Sequence, residues 1–227
     1  MTARTGHLPA DGVRTMFDRI APVYDAMNHA MTAGLDRRWR RLAADAVVAE
    51  GDRVLDACCG TGDLALAASS AGGVVTGLDF SEAMLERARR KSSEIDWIDG
   101  DLLRLPFGDG SFDTATVGFG VRNVEDLDLA LRELRRVVKP GGRLAILEIV
   151  RPKGPLGLFY KAWFDGLVPL VGKVIPGGGA YSYLPASVRR FPGPAELADR
   201  VRAAGFHPVV HRLLGGGIVV LVVGEAR

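Results

Sequence analysis

The chain has 227 residues, 48% of them apolar, enough to bury one sizeable core and to form one domain. Its 29 basic and 27 acidic residues leave a net charge of +2, and the absence of a long basic run or an aromatic-plus-basic RNA motif argues against a nucleic-acid partner. Its two cysteines, adjacent at Cys58 and Cys59, form no disulfide framework and are too few for a structural zinc site, which fits a reducing cytoplasm and no metal. The N-terminus carries no charged-then-apolar signal pattern, and no apolar run is long enough to span a membrane.

Residues 1–12 read as a tail. Val13, Met16, Phe17 and Ile20 follow helical spacing, and Pro22 ends that helix. Val23-Tyr24-Asp25-Ala26-Met27-Asn28 follows, with polar groups crowded beside apolar ones. A second helix is predicted from about Asp36 to Ala49, with Leu35, Trp39, Leu42, Ala43, Ala46 and Val47 on one side. Its Arg37, Arg38, Arg40 and Arg41 read as a solvated face, with contact to acidic lipid headgroups as the alternative.

From Asp52 the pattern alternates strand and helix, the signature of a doubly wound parallel sheet. Strands are predicted at Arg53–Ala57, Val74–Leu78, Trp97–Ile98, Phe112–Val117 and Arg143–Val150. The helices between them are Leu64–Ser70, Glu82–Lys91 with Ser81 as N-cap, and a helix marked by Leu127, Ala130, Leu131, Leu134 and Val138 that Pro140-Gly141-Gly142 stops. Residues 151–192 break the alternation. Leu156, Phe159, Tyr160, Trp163, Phe164, Leu167 and Val168 form an aromatic helical stripe. It reads as a core-facing helix, or as a lid or bilayer-resting surface. Pro176-Gly177-Gly178-Gly179 and Tyr181-Ser182-Tyr183-Leu184 read as a loop. A helix at Pro194–Ala204 and an antiparallel hairpin, His207–Leu213 with Ile218–Gly224, close the chain. The expected organisation is one domain: an N-terminal helical cap (13–49), a core (50–150), an insert (151–192), and a closing helix and hairpin (193–224).

The stretch Val54-Leu55-Asp56-Ala57-Cys58-Cys59-Gly60-Thr61-Gly62-Asp63 reads as strand, tight turn, helix. Its glycines let backbone N–H groups approach a ligand, as in nucleotide pockets at the carboxyl edge of a parallel strand. The third glycine of the dinucleotide fingerprint is replaced by Leu64-Ala65. The turn carries Asp56 and Asp63 and no basic residue, so it suits a cationic or amine-bearing ligand better than pyrophosphate. Asp79, ending the second strand, is placed to accept from both ribose hydroxyls of an adenosine. Asp101, after the third strand, is placed for an exocyclic amine such as adenine N6, or is a plain turn aspartate. Cys58 and Cys59 have no cation beside them and read as small wall residues rather than nucleophiles.

Asp56…Gly60-Thr61-Gly62, Asp79, Gly100-Asp101 and Val137-Val138-Lys139-Pro140-Gly141-Gly142 resemble the class I S-adenosylmethionine-dependent methyltransferases. Four segments sharpen this: Tyr24–Asn28, Asp56–Asp63, Phe119-Gly120-Val121-Arg122-Asn123 and Tyr181-Ser182-Tyr183-Leu184-Pro185-Ala186-Ser187. Together they resemble the menaquinone/ubiquinone biosynthesis C-methyltransferase family from about residue 13 to 222, and the twin-cysteine loop is similar to its menaquinone branch. The resemblance implies a Rossmann-like α/β sheet, mostly parallel with a C-terminal antiparallel hairpin, plus N-terminal helices and a helical insert. It implies S-adenosyl-L-methionine as cofactor, with Thr61, Asp79 and Asp101 at matching binding positions. Asp56, Gly60, Gly62 and Gly100 complete the expected cofactor set, and Gly118 stands where the family usually has serine.

The implied reaction is methylation of a ring carbon of a prenylated hydroquinone such as demethylmenaquinol. Arg122 and Asn123 are the residues expected at the quinol oxygens: Arg122 stays protonated, so it stabilises a phenolate rather than acting as a base. A surface salt bridge is the alternative reading of Arg122, the less attractive one because the residue sits at a strand end facing the expected pocket. Tyr24 and Asp25 are candidates for a proton path or for the cofactor's amino group, or are N-terminal packing. Tyr181 and Tyr183 line the quinol site or are structural. A lipophilic quinol, transient contact with the inner face of the membrane and a homodimer are the associations the resemblance allows. Competing readings are a methyltransferase of a soluble phenol, an NAD-dependent reductase, and a ligand-binding protein without turnover.

Overall fold

The computed structural model describes residues 9–152 and 179–227. The stripe expected at 156–168 lies outside the described residues. Seven strands form one sheet: β1 (Arg53–Ala57), β2 (Val74–Asp79), β3 (Asp96–Asp99), β4 (Phe112–Gly118), β5 (Val138–Ile149), β6 (Phe206–Leu214) and β7 (Val219–Ala226). Their spatial order is β3-β2-β1-β4-β5-β7-β6. β3 to β5 run parallel, and β7 and β6 complete the sheet antiparallel, as expected for the closing hairpin.

The helices are α1 (Ala10–Ile20), α2 (Tyr24–Thr32), α3 (Leu35–Asp45), α4 (Asp63–Ser70), α5 (Glu82–Lys91), α6 (Leu127–Val137), α7 (Gly179–Arg190) and α8 (Pro194–Ala203). Alternation along β1 sends Val54 to one face of the sheet and Leu55 to the other. Val54 joins Trp39, Ala43, Leu64, Ala65 and Ala68 of α3 and α4. Leu55 joins Leu131 and Leu134 of α6 and Leu197 and Val201 of α8. A strand covered on both faces is why the sequence reads as a short unbroken apolar run here.

Three elements differ from the sequence reading. The Tyr24–Asn28 segment is helical, because α2 continues from a 3-10 turn at Ala21–Val23 that holds Pro22 in its first turn, where a missing N–H costs little. The segment Tyr181–Leu184 is not a loop but lies within α7, with Pro185 inside the helix. Burial of Ser187 and Val188, and packing of α7 on α1, outweigh the local preference of glycine and proline. β5 begins at Val138, before the Pro140-Gly141-Gly142 stop, and absorbs those residues where its pairing with β4 jumps from Phe112↔Val138 to Thr114↔Arg143.

From β1 the chain winds outward through β2 and β3, then returns to place β4 on the other side of β1. The crevice where this order reverses opens at the carboxyl ends of β1 and β4, where doubly wound sheets bind ligands. Gly62, the N-cap of α4, keeps this edge tight: its φ is +86°, and a Cβ there would lie 2.5 Å from Trp97 Cη2 and 3.3 Å from Ala88 Cβ. Gly62→Ala combines a left-handed backbone with overpacking, so we expect a loss of about 2–4 kcal/mol, read as a lower urea midpoint at unchanged slope.

Candidate functional site

The turn after β1 is built from positive φ angles at Cys58 (53°), Gly60 (56°) and Gly62 (86°). Nothing lies within 4 Å of a Cβ placed on Gly60, so the backbone there faces open space. Gly60 N donates to Asp79 Oδ2 at 2.8 Å and Ser81 N donates to Oδ1 at 2.9 Å, fixing the carboxylate at the end of β2. Thr116 Oγ1 on β4 donates to Asp56 Oδ1 at 2.8 Å, with both residues fully buried. Gly100 N donates to the Asp79 carbonyl at 3.0 Å, and Asp101 Oδ1 accepts from Leu103 N at 2.9 Å.

Asp56, Gly60, Asp79, Gly100 and Asp101 line one cavity of about 960 Å³, counting the part open to solvent, a size that takes a nucleoside-sized ligand. Of the predicted cofactor residues, Asp56, Gly60, Thr61, Asp79, Gly100, Asp101 and Gly118 line it, with Tyr24, Asn123, Cys58 and Cys59. Gly62 does not; its room is filled by Trp97, and its work is packing. Gly118 lies against Leu64, whose Cδ2 would be 2.9 Å from a Cβ placed there. A hydroxyl-bearing side chain at 118 therefore has to displace the end of a flexible leucine.

Burial sets the electrostatics. It pushes the Asp79 carboxyl up to about 6, against the lowering effect of its backbone donors. It pushes Asp56 up to about 7, with Thr116 and the charge of Arg40 pulling the other way. Burial and the nearby carboxylates also hold both cysteine thiols well above their ordinary range, so neither is a thiolate nucleophile.

Arg122 is an interior residue. It is buried, its Nη1 donates to Glu148 Oε1 at 2.7 Å and to the Phe119 carbonyl, and it is not part of the cavity wall. The salt bridge is interior, and its partner Glu148 is fully buried on β5, where no neighbouring residue in the sequence announces a pairing 26 positions away. Arg40 is the reverse case. Arg37, Arg38 and Arg41 are exposed, whereas Arg40 is buried on the Asp36-Trp39-Ala43 face of α3 and reaches the cavity. Lys91 was also missed: its Nζ lies 2.7 Å from Asp25 and 2.6 Å from Asp63, joining α2 to the start of α4, while Thr61 Oγ1 donates to Asp25. Tyr181 and Tyr183 lie in α7, and their side chains are outside the described set.

Residues 5–225 match the ubiE/COQ5 methyltransferase family. The chain is 45% identical over 219 residues to the demethylmenaquinone methyltransferase of Thermus thermophilus, covering 92% of this chain and 99% of the relative. It is 44% identical over 230 residues to the 2-phytyl-1,4-naphtoquinone methyltransferase of Synechococcus elongatus, covering 96% and 99%. Its fold is that of a SAM-dependent methyltransferase of Thermotoga maritima described as a possible histamine N-methyltransferase, with a TM-score of 0.68 at 22% identity over 93% of this chain and 100% of the other.

The raised carboxyls give the site a pH dependence. An ionised Asp79 offers two acceptor oxygens to a diol, as expected for a ribose; with its proton held up to about 6, a ligand that needs the ionised form must expel a proton below that pH. Affinity for 5′-methylthioadenosine should therefore rise roughly tenfold per pH unit on the acid side and level off near neutrality, and Asp79→Asn should weaken binding and flatten the profile in calorimetric titrations. Stability should move oppositely. The folded state holds these two protons more tightly than the unfolded chain, so their contribution is full below the ordinary carboxyl range and is lost as pH rises through about 6 and about 7.

Proposed function

Since the chain belongs to the ubiE/COQ5 methyltransferase family and is an S-adenosylmethionine-dependent methyltransferase, we propose that it methylates a ring carbon of a prenylated naphthoquinol, most simply demethylmenaquinol to menaquinol. The observation that carries this reading is identity above 40%, over nearly the whole chain, to relatives named for two isoprenoid-bearing naphthoquinones. A soluble phenol as acceptor has no comparable support.

The donor set fits the cofactor. Five carboxylates line the cavity (Asp56, Asp63, Asp79, Asp101 and Glu125), in keeping with a ligand that carries a sulfonium, an ammonium, a ribose diol and an exocyclic amine. When bound, S-adenosylmethionine supplies an electrophilic methyl carbon, which an electron-rich quinol ring carbon accepts with loss of the ring proton. Asp79 takes the ribose hydroxyls, and Asp101 faces the adenine end. Thr61, held by Asp25, orients the loop against the middle of the ligand. Asn123 projects into the cavity from the turn after β4 and is the residue we assign to a quinol oxygen. Arg122 acts through position: with Glu148 it fixes the loop that carries Phe119 and Asn123. In-line alignment of acceptor and methyl supplies up to roughly 7–11 kcal/mol of the barrier, so holding these walls rigid matters more than any one proton acceptor.

An isoprenoid acceptor partitions into lipid, and among the described residues no helix is long and apolar enough to cross a membrane. We therefore place the enzyme at the cytoplasmic membrane surface, with exposed Arg37, Arg38 and Arg41 facing anionic headgroups at about 1 kcal/mol each. Arg37→Glu with Arg38→Glu and Arg41→Glu should abolish co-sedimentation with phosphatidylglycerol vesicles while leaving cofactor affinity intact. The reaction itself is tested by transfer of labelled methyl from S-adenosylmethionine to chemically reduced demethylmenaquinol in micelles. Label should enter the ring only with the reduced substrate, and Asn123→Ala should lower kcat by about 10- to 100-fold with a smaller change in cofactor binding. Label into a soluble phenol but not the quinol would overturn the assignment of acceptor.

A further inference from the structure

We propose that Arg40 is the anion anchor of the cofactor subsite and takes the α-carboxylate of the methionine half of S-adenosylmethionine. This rests on the reading of the cavity as the cofactor site and adds the one contact that the carboxylates cannot make. Among the described residues lining the cavity, Arg40 is the single basic side chain against five acids. The ligand has one anionic group, and a carboxylate brought unpaired into a buried, acid-rich pocket carries a large desolvation penalty. It needs a cation, and there is one.

Position agrees with charge. The sheet order places β3, β2, β1 and β4 side by side, so Asp101 after β3, Asp79 at the end of β2 and Asp56 on β1 mark successive steps across the crevice. With adenine at the first and ribose at the second, the amino-acid end of the ligand falls toward β1 and β4. Arg40 stands there: its guanidinium lies 5.1 Å from the ring centroid of Phe119, the residue that follows β4. It is also prepared. Nη1 is committed to Asp36 Oδ2 at 2.6 Å, and the aromatic face fixes the plane, leaving other donors of the five-donor fork for a ligand with little ordering left to do.

The test compares ligands that differ by the carboxylate. Calorimetry on the full chain measures S-adenosylmethionine, its decarboxylated analogue and 5′-methylthioadenosine against the wild type, Arg40→Met, Arg40→Lys and the double variant Asp36→Asn/Arg40→Met. The double variant removes the buried acid that Arg40→Met alone would strand, so one folded variant is retained. The wild type should prefer the carboxylated ligand by about 10- to 100-fold, as expected for charge-assisted hydrogen bonds. The variants without a charge should lose that preference while binding the decarboxylated ligand as before, and Arg40→Lys should fall between. A preference that survives removal of Arg40, or an equal loss for all three ligands, overturns the proposal. So does unchanged binding with lost methyl transfer, which would assign Arg40 to the acceptor. Failure of the wild type to bind any of the three would instead overturn the reading of the cavity.

Discussion

The hydrogen bond from Thr116 to Asp56 crosses the switch point of the parallel part of the sheet, joining β1 to β4 at full burial. Two of the turns that shape the cavity hang from these strand ends. The turn carrying Gly60 and Thr61 leaves β1 directly after Asp56 and Ala57, and the turn carrying Phe119 and Asn123 leaves β4 two residues after Thr116. A carboxylate buried this completely carries a cost, visible in its raised affinity for a proton. Thr116 offsets part of that cost, and the charge of Arg40 offsets another part. The same acid therefore binds strand to strand, while the cavity's cation is held by Asp36 on its own helix.

The second turn is held by an ion pair as well as by its backbone, in which Phe119 N donates to the Leu147 carbonyl at 2.7 Å and Asn123 N to the Gly120 carbonyl at 3.0 Å. Phe119 adopts a φ of 61°, unfavourable for a residue with a Cβ, and Gly120 has no room for one, since it would lie 2.5 Å from the Cβ of Cys58. Glu148 accepts from both the backbone N and the guanidinium of Arg122, and Arg122 donates back to the Phe119 carbonyl. A buried pair of this kind adds little net stability, because desolvation cancels most of the attraction. What it contributes is a fixed geometry for the loop, set by three hydrogen bonds that converge on Arg122. A residue that looks like a phenolate-stabilising cation in sequence thus serves the site from behind, and leaves Asn123 as the group that faces the cavity.

How much of this was legible depended on how far apart the partners lie along the chain. Short-range patterns were readable: β1 matches its predicted bounds, α5 with its Ser81 cap likewise, and the acids after β1, β2 and β3 all reach the cavity. Contacts across long separations were not. Nothing near Arg122 announces Glu148 on a neighbouring strand, and nothing near Asp25 announces Lys91. Arg40 was hidden by its neighbours, since a run of four arginines in five positions averages to a solvated face. Helical geometry separates them, because positions 36, 40 and 43 share a stripe that 37, 38 and 41 do not. The helical α7 was obscured by local glycine and proline, whose preferences are worth less than the burial of Ser187 and Val188.

The N-terminal helices complete the site as a strap fastened at polar points. Ala10 N donates to Glu125 at 2.9 Å, Ser81 Oγ to Asp18 at 2.6 Å, and Lys91 holds Asp25 beside Asp63. Apolar contact adds to these, with Phe17 and Tyr24 edge-to-face at 6.2 Å and both residues on the cavity wall. Fasteners that are partly exposed ion pairs and single hydrogen bonds are individually weak and exchange readily with water. The sheet beneath is held by interlocked apolar cores on its two faces, and Trp39, Ala43 and Ala44 of α3 belong to one of them. The two layers thus differ in what holds them: the strand ends are fixed by buried hydrogen bonds and apolar packing, while the N-terminal cover adds polar contacts made across long stretches of chain.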